Sequence, residues 1–388
     1  MKRGPFLGGV FAAFGAPLSI PESMRKPGAA ITPYGLPAVA EHLERKVNSA
    51  GSLAASPLAR QLGNTTSNGL FYVVNHAGVA QIDMKAHRLA IHGLVRQPMV
   101  FTMEDLRRFP TVTRTYFLEC SGNSGSEWSR PRAKTVQDSH GLLSCAQWTG
   151  ARLADVLNEV GVRPEATWFV AEGADAAGLD RSIPLGKAFD DALLVYGQNG
   201  EPLRPEQGYP LRLLLPGFEG NTNVKWLRRI KLTAGPVYSQ QETSDYTDLL
   251  QNGLARAFTF VMEAKSVIVR PSPGFGFSSQ GFQMIAGLAW SGRGRISRVE
   301  VTLDGGKTWT PAEMDEPVLP KCVTSFHAGF NWKGEEMLLQ SRAFDETGYV
   351  QPALSQLVAA RGVNSFFHNN AIQTWHLQRT GELSNVHI

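Results

Sequence analysis

Residues 113–129 read TRTYFLECSGNSGSEWS, and the rest of the chain is organised around this stretch. Its first half is rich in β-branched and aromatic residues, which suit a pleated, half-buried strand. Its second half is rich in Gly and Ser and forces the chain to turn. Cys120 therefore stands where a strand ends and a loop begins, the usual address of a functional residue on a rigid scaffold. Upstream, GLFYVVNH (69–76) and HRLAIHGLV (87–95) read as strands. TMEDLRRFP (102–110) reads as a short helix with Thr102 as N-cap, Glu104 and Asp105 in its first turn and Pro110 as its stop. Downstream, WTGARLADVLNEVGV (148–162) reads as an amphipathic helix ended by Gly161. A mixed region through ATWFVAEGAD (166–175), DALLVYGQNG (191–200) and the apolar strand PLRLLLPG (210–217) follows, an order that fits an α+β domain.

From about Ala255 the character changes. SVIVRPSPG, GFQMIAGLAWSG, RISRVEVTLDGGKTWTPA and EMLLQSRAFDETGY are short strands separated by Gly and Asp turns, the pattern of a β-sandwich. Asp304, Gly305 and Gly306 supply one turn, and Trp309 is expected to plug the core. Residues 21–68, rich in Pro, Ala, Ser and Gly, read as an extended arm laid over a domain, with a helix expected around Val39 to Val47. Residues 1–20, MKRGPFLGGVFAAFGAPLSI, put two cations before a short apolar stretch and resemble an export signal; a flexible apolar arm is the alternative. The stretch is too short to span a bilayer, so no membrane span is expected.

At 388 residues the chain exceeds what one core usually serves, and 43% hydrophobic with 19% charged residues excludes a disordered chain. A net charge of +4 without any long Lys/Arg run leaves no nucleic-acid footprint. The three cysteines, Cys120, Cys145 and Cys322, are too scattered for a CxxC site or a disulfide framework, and Cys145 and Cys322 are expected to be structural. The histidines form no HExxH motif.

An isolated cysteine is commonly a small buried hydrophobe. Cys120 has no adjacent Lys, Arg or His to make its thiol a nucleophile, yet a soft thiolate on a loop suits a soft metal centre. Arg212 in PLRLLLPG and Lys225 in NVKWLRRIKL (223–232) are cations inside apolar sequence, so either they snorkel to the surface or they meet a phosphate or carboxylate. Arg293, Arg295 and Arg298 in WSGRGRISR (290–298) suit oxyanion binding or belong to a solvated turn.

FLECSGNSGSEW (117–128), PLRLLLPG followed by VKWLRRI (224–230), SDYTDL (244–249) and GLAWSGRGRISRVEVTLDGGKTW (287–309) stand in the order in which they occur in the sulfite oxidase family. The chain resembles that family from about residue 69 to 378. Within it, HGLLSC, NGLARAFTFVMEAKSVI, YVQP and HNNAIQTW are most similar to the sulfane dehydrogenase molybdenum subunits of Sox thiosulfate-oxidising systems. The resemblance implies an α+β fold: a mixed α/β molybdopterin domain over 69–245, then an immunoglobulin-like β-sandwich over 255–388 used in assembly. It also implies a molybdenum-molybdopterin cofactor in the mononucleotide-free pterin form and a periplasmic location. Cys120 falls on the family's metal-ligating thiolate, Tyr246 on its active-site tyrosine and Arg295 on its substrate-anion arginine. Asn75, His76, Asp175, Arg212 and Lys225 fall on contacts to the pterin and its phosphate, and Ser182 is placed to complete the phosphate's hydrogen bonds.

The departures from the family pattern carry information too. Val74 stands where an arginine often precedes the Asn-His pair, Ser124 and Gly125 replace arginines after the cysteine, and Gln207 stands where relatives often have a histidine. A less basic pocket points away from free sulfite, a compact dianion, and towards a sulfane held on a sulfur-carrier protein. No cytochrome b-type segment is present, so the resemblance implies a separate c-type cytochrome subunit as electron acceptor, in a homodimer or heterotetramer. The implied reaction adds oxygen to sulfur and releases electrons singly, with the cofactor doing the hard chemistry while Cys120 tunes the metal, Arg295 holds oxyanion charge and Tyr246 orients water or substrate. The rivals are oxidation of free sulfite, reduction of sulfoxides, and a non-catalytic binding protein.

Overall fold

The computed structural model describes residues 20–38 and 41–388. The chain up to His42 and residues Leu43–Ile388 are separate compact units. In the first, the described residues are exposed and include one short 3-10 turn, Glu22–Met24. The expected export signal lies outside the described residues but for Ile20, as does the start of the helix expected around Val39 to Val47. Of the described remainder of that segment, Glu41 belongs to a 3-10 turn, residues 42–45 are irregular, and the segment ends in a strand, Lys46–Val47.

The supposed arm is an integral part of the second unit from Leu43 on. Leu53–Ala55 pairs with Lys46–Val47 on one side and Val73–Val74 on the other, while Leu58 and Ala59 reach into the core of the C-terminal sandwich. Two five-stranded sheets follow. One runs Glu201–Pro202, Leu193–Gln198, Leu143–Arg152, Thr111–Glu119, with Arg212–Leu214 also paired to Leu193–Gln198. The other runs Met99–Phe101, Leu89–Gly93, Leu227–Thr233, Trp168–Gly173, Asp180–Pro184, and its pairing of Leu89–Gly93 with Leu227–Thr233 is parallel.

The expected helix after Phe101 is present as Met103–Arg107. Thr102 Oγ1 accepts from Asp105 N at 3.1 Å and Asp105 Oδ2 accepts from Thr102 N at 2.9 Å, a reciprocal cap. The second expected helix starts late: Trp148 to Arg152 complete a strand, and only Leu153–Val160 is helical before Gly161. Strand pairing with Thr111–Glu119 over its whole length overrides the local helical pattern there.

Two alternations position the site. In the strand before the loop, Phe117 enters the sandwich core and Glu119 points the same way, whereas Leu118 and Cys120 face the opposite core. In PLRLLLPG, Leu211, Leu213 and Leu215 pack into the helix-bearing core while Arg212 and Leu214 face the other side, with the guanidinium 5.5 Å from the Trp148 ring. Period-2 geometry thus turns Arg212 and Cys120 towards the same interior space.

The C-terminal part is a two-sheet sandwich. Lys265–Arg270, Gly281–Trp290, Thr324–Trp332 and Glu313–Met314 form one sheet; Thr310–Pro311, Ile296–Thr302, Met337–Asp345, Thr374–Leu377 and Leu383–Val386 form the other. Trp290, Trp332 and Trp375 fill its core. Trp309, expected there, is only partly buried: it donates from Nε1 to Gly306 O at 3.0 Å and carries the Arg342 guanidinium 4.2 Å above its ring. Among the described residues no helix is long and apolar enough to cross a membrane.

Candidate active site

Cys120 leaves its strand with its N–H donated to Leu142 O at 3.0 Å and its own carbonyl accepting from Asn123 N at 2.9 Å. The turn is tight, and Ser124 takes a left-handed conformation at φ 66°. Gly220 approaches from the other side so closely that a Cβ there would lie 2.5 Å from Tyr72 Oη and 3.3 Å from Cys120 Cα. Burial pushes the Cys120 thiol up to about 11, with Glu219 and Glu119 adding to the effect and the Gly122 N–H opposing it. Such a thiol is a poor free nucleophile, and a metal ion is what would displace its proton.

The sulfur faces a cavity of about 620 Å³, open mouth included. Of the residues singled out in the sequence, Asn75, His76, Cys120, Asp175, Arg212, Lys225 and Tyr246 line it. Lys225 Nζ donates to Val74 O at 2.9 Å, to Glu206 O at 3.1 Å and to Asn75 Oδ1. Burial, then the Arg212 charge, lowers its pKa to about 7. Arg212 is 4% exposed, and burial brings it down to about 10. Its Nη1 donates to Gln207 Oε1 at 3.0 Å, but its Nε has no partner. Asn221, also in the wall, donates from Nδ2 to Ser121 Oγ at 2.9 Å and leaves Oδ1 without a partner. Two close cations and unsatisfied polar atoms in one buried wall are costly until an anion and further hydrogen-bonding groups arrive. The snorkelling alternative for Arg212 and Lys225 is therefore not what the fold adopts.

Tyr246 Oη and His76 Nε2, also in the wall, lie 2.9 Å apart. Burial, then Cys120, raises the Tyr246 phenol, which keeps it a hydrogen-bond donor. Behind the ring, 4.5 Å from its centroid, lies the guanidinium of Arg181, buried and held by Glu242 (Nε–Oε1 2.9 Å) and Glu219 (Nη2–Oε1 3.1 Å). Sequence reading missed Arg181, because its carboxylate partners are far along the chain and carry no local motif.

Two expected residues are elsewhere. Arg295 does not reach the cavity: its side chain is 54% exposed on the sandwich and pairs with Glu346 at 3.2 Å, while Arg293 and Arg298 pair with Glu263 and Glu300. The solvated-turn reading of WSGRGRISR holds, since each arginine has a carboxylate neighbour at the surface. Ser182 is committed to structure, its Oγ accepting from Val237 N at 3.0 Å and its own N–H given to Glu242 Oε1 at 2.8 Å. Gln207, standing in place of a histidine, lines the cavity and donates from Nε2 to Tyr72 O at 3.0 Å while accepting from Arg212. Cys145 and Cys322 are buried outside the cavity, and Cys322 Sγ donates to Thr115 O at 2.8 Å.

These residues fit a cofactor that brings its own metal ligands. Among the described residues no group of three or more His, Cys, Asp or Glu side chains could hold a metal ion, so Cys120 would contribute one ligand and an organic chelator the others. The family model described as "oxidoreductase molybdopterin binding domain" matches residues 76–241, and that described as "Mo-co oxidoreductase dimerisation domain" matches 256–375. Rat mitochondrial sulfite oxidase is 32% identical over 92% of this chain and 69% of its own length, and chicken sulfite oxidase 33% over 84% and 76%. The chain belongs to the sulfite oxidase family. Against mouse sulfite oxidase the match takes in 66% of that protein, so this chain spans less than two thirds of it. The crystal structure of the sulfane dehydrogenase SoxCD from Paracoccus pantotrophus superposes with a TM-score of 0.92 at 46% identity, covering 95% of this chain and 97% of that one. The two matched domains are those of a molybdopterin oxidoreductase.

Proposed function

We propose that this chain is the molybdenum subunit of a periplasmic sulfane dehydrogenase, which oxidises sulfane sulfur bound as a persulfide to a carrier protein and passes the electrons to a c-type cytochrome. One observation carries the choice of substrate. Among the described residues, Arg212 and Lys225 are the only Lys or Arg side chains lining the cavity, and we assign both to the cofactor's phosphate. Near Tyr246 the guanidinium of Arg181 is buried against the tyrosine ring, ion-paired with Glu219 and Glu242, and does not line the cavity. A free dianion meets no available cation there, whereas a persulfide with at most one charge needs none.

Arg212 and Lys225 would bind the phosphate of molybdopterin, and Asn75, His76 and Asp175 its ring. We take the pterin to be the form without an attached nucleotide, on the family resemblance alone. When bound, the cofactor supplies the two-electron chemistry at sulfur. Cys120, once deprotonated, would hold the metal, while Tyr246 and His76, 2.9 Å apart, would orient the substrate or water by hydrogen bonds. Each oxygen atom added to sulfur comes from water, with two protons released to solvent and two electrons to the acceptor.

The test is turnover by cofactor-loaded protein with cytochrome c as acceptor, on a carrier-bound persulfide and on free sulfite. A kcat/KM clearly higher for the persulfide is expected. A higher value for sulfite would replace this reading with sulfite dehydrogenation, towards which the likeness to sulfite oxidases points.

A further inference from the structure

The turn that presents Cys120 is gripped from the C-terminal part of the chain as well as from its own half. Glu119, fully buried, accepts from Trp290 Nε1 at 2.6 Å through Oε2 and from Lys265 Nζ at 3.0 Å through Oε1. The same ammonium donates to Ser124 Oγ at 3.0 Å and to Asn123 O at 3.4 Å. His368 N donates to Ser121 O at 2.8 Å, and Asn369 Nδ2 to Ser124 O at 3.1 Å. Phe366 closes the remaining side: a Cβ on Gly122 would sit 2.9 Å from its ring and one on Gly125 2.6 Å from its carbonyl oxygen, so both glycines are required by its approach. From its own half the turn receives a comparable set: the Leu142 contacts to Cys120 and Asn123, Asn221 on Ser121, Asn123 Nδ2 on Glu119 Oε1 at 2.9 Å, and the Ser124 hydroxyl bonded to Ser139 O.

We propose that the sandwich half, beyond any part in assembly, sets where the Cys120 sulfur stands: Lys265, Trp290, Phe366 and Asn369 are positioning residues for the metal ligand, acting through Glu119 and the turn 121–125. The inference rests on Cys120 being that ligand. A buried ion pair whose members come from the two halves favours one arrangement of the turn, because moving the turn strips the Lys265 ammonium of its bonds to Glu119, Asn123 and Ser124. A sulfur held this way keeps a constant distance and angle to whatever it binds, which is what a ligand on a loop otherwise lacks.

The experiment uses the full chain as wild type, Phe366→Ala, Phe366→Tyr, and the double variant Glu119→Gln/Lys265→Met. Phe366 is 54% exposed, so its truncation spares the core and keeps the test open even if the double variant fails to fold. In cofactor-free protein, alkylation of Cys120 by iodoacetamide is followed by mass spectrometry, with buried Cys145 and Cys322 as internal controls. Phe366→Ala is expected to speed Cys120 alkylation roughly tenfold through local opening, with the two controls unchanged, and Phe366→Tyr to restore the wild-type rate. In loaded protein, Phe366→Ala should shift the paramagnetic resonance of the pentavalent metal at unchanged metal content. Wild-type alkylation rates and an unshifted resonance in Phe366→Ala, with only the melting temperature lowered, would overturn the proposal and leave ordinary packing. The alkylation arm needs no metal, so it decides the positioning claim by itself; a wild type that takes up no molybdenum overturns the functional reading instead.

Discussion

Replacing Arg212 with methionine should move cofactor binding and protein stability in opposite directions. In the cofactor-free protein the guanidinium is buried, its Nε has no partner and its pKa is brought to about 10. At roughly 1.4 kcal/mol per pH unit, keeping that charge buried costs about 3 kcal/mol relative to the unfolded chain. Methionine of similar length removes this cost but leaves Gln207 Oε1 without its donor, a loss of about 1–3 kcal/mol, and forfeits the contact with Trp148. The net effect on the cofactor-free protein is between zero and about 2 kcal/mol of stabilisation, whereas a large buried side chain changed in a packed core usually destabilises. Cofactor binding should suffer, since charge-assisted bonds to a phosphate contribute about 1.5–3 kcal/mol each, or roughly 10- to 150-fold in affinity. Thermal unfolding of cofactor-free protein, together with pterin and molybdenum content after loading, reads both effects. A variant that loads normally, or whose cofactor-free form melts several degrees lower, would refute the idea that Arg212 is held ready for an anion.

Further outcomes follow from the same geometry. Lys225 has a folded pKa of about 7, below the ordinary lysine value, so the folded cofactor-free protein binds fewer protons than the unfolded chain above pH 7 and its stability rises from pH 7 towards 10; Lys225→Met should flatten that slope in denaturant melts. Phosphate binding restores the proton, so cofactor affinity should fall up to tenfold for each pH unit above 7 in wild type and lose this dependence in the variant. Gly220→Ala drives a Cβ against Tyr72 Oη and towards Cys120 Cα, and metal analysis should show molybdenum content reduced in soluble, folded protein. Tyr246→Phe should slow turnover roughly tenfold with molybdenum content intact, through loss of the bond to His76; loss of the metal would show a structural role. Arg295→Ala should change kcat/KM less than about twofold, because an exposed ion pair with Glu346 contributes little; a tenfold loss would mean that this arginine reaches the substrate after all.

The sequence revealed those parts of the site that local pattern controls. Alternation along PLRLLLPG is enough to turn Arg212 away from the leucines on either side of it, and the strand-to-loop change at Cys120 is visible in residue types alone. The resemblance supplied Asn75, His76, Asp175, Lys225 and Tyr246, which lie too far apart for spacing to unite them. It also carried two residues too far. Arg295 sits in a Gly-rich turn that looks the same in sequence whether it binds an anion or water, and only the neighbouring Glu346 decides the matter. Ser182 has its hydroxyl taken by Val237 N, a bond from a loop to a strand that no motif announces.

What the sequence hid most thoroughly is the dependence of one half on the other. Glu119 looks like an unremarkable polar residue one place before Cys120, and Lys265 like a charge at the start of an apolar strand, 146 residues later. Alternation sends Glu119 to the face opposite Cys120, so whatever holds Glu119 lies on the far side of the sheet from the cavity. The sandwich fills that side with Lys265 and Trp290, and the only route from them to the sulfur runs through the backbone of the turn. A change in the sandwich can therefore be felt at Cys120 without touching the cavity, and a buried ion pair joins the two halves beside the turn.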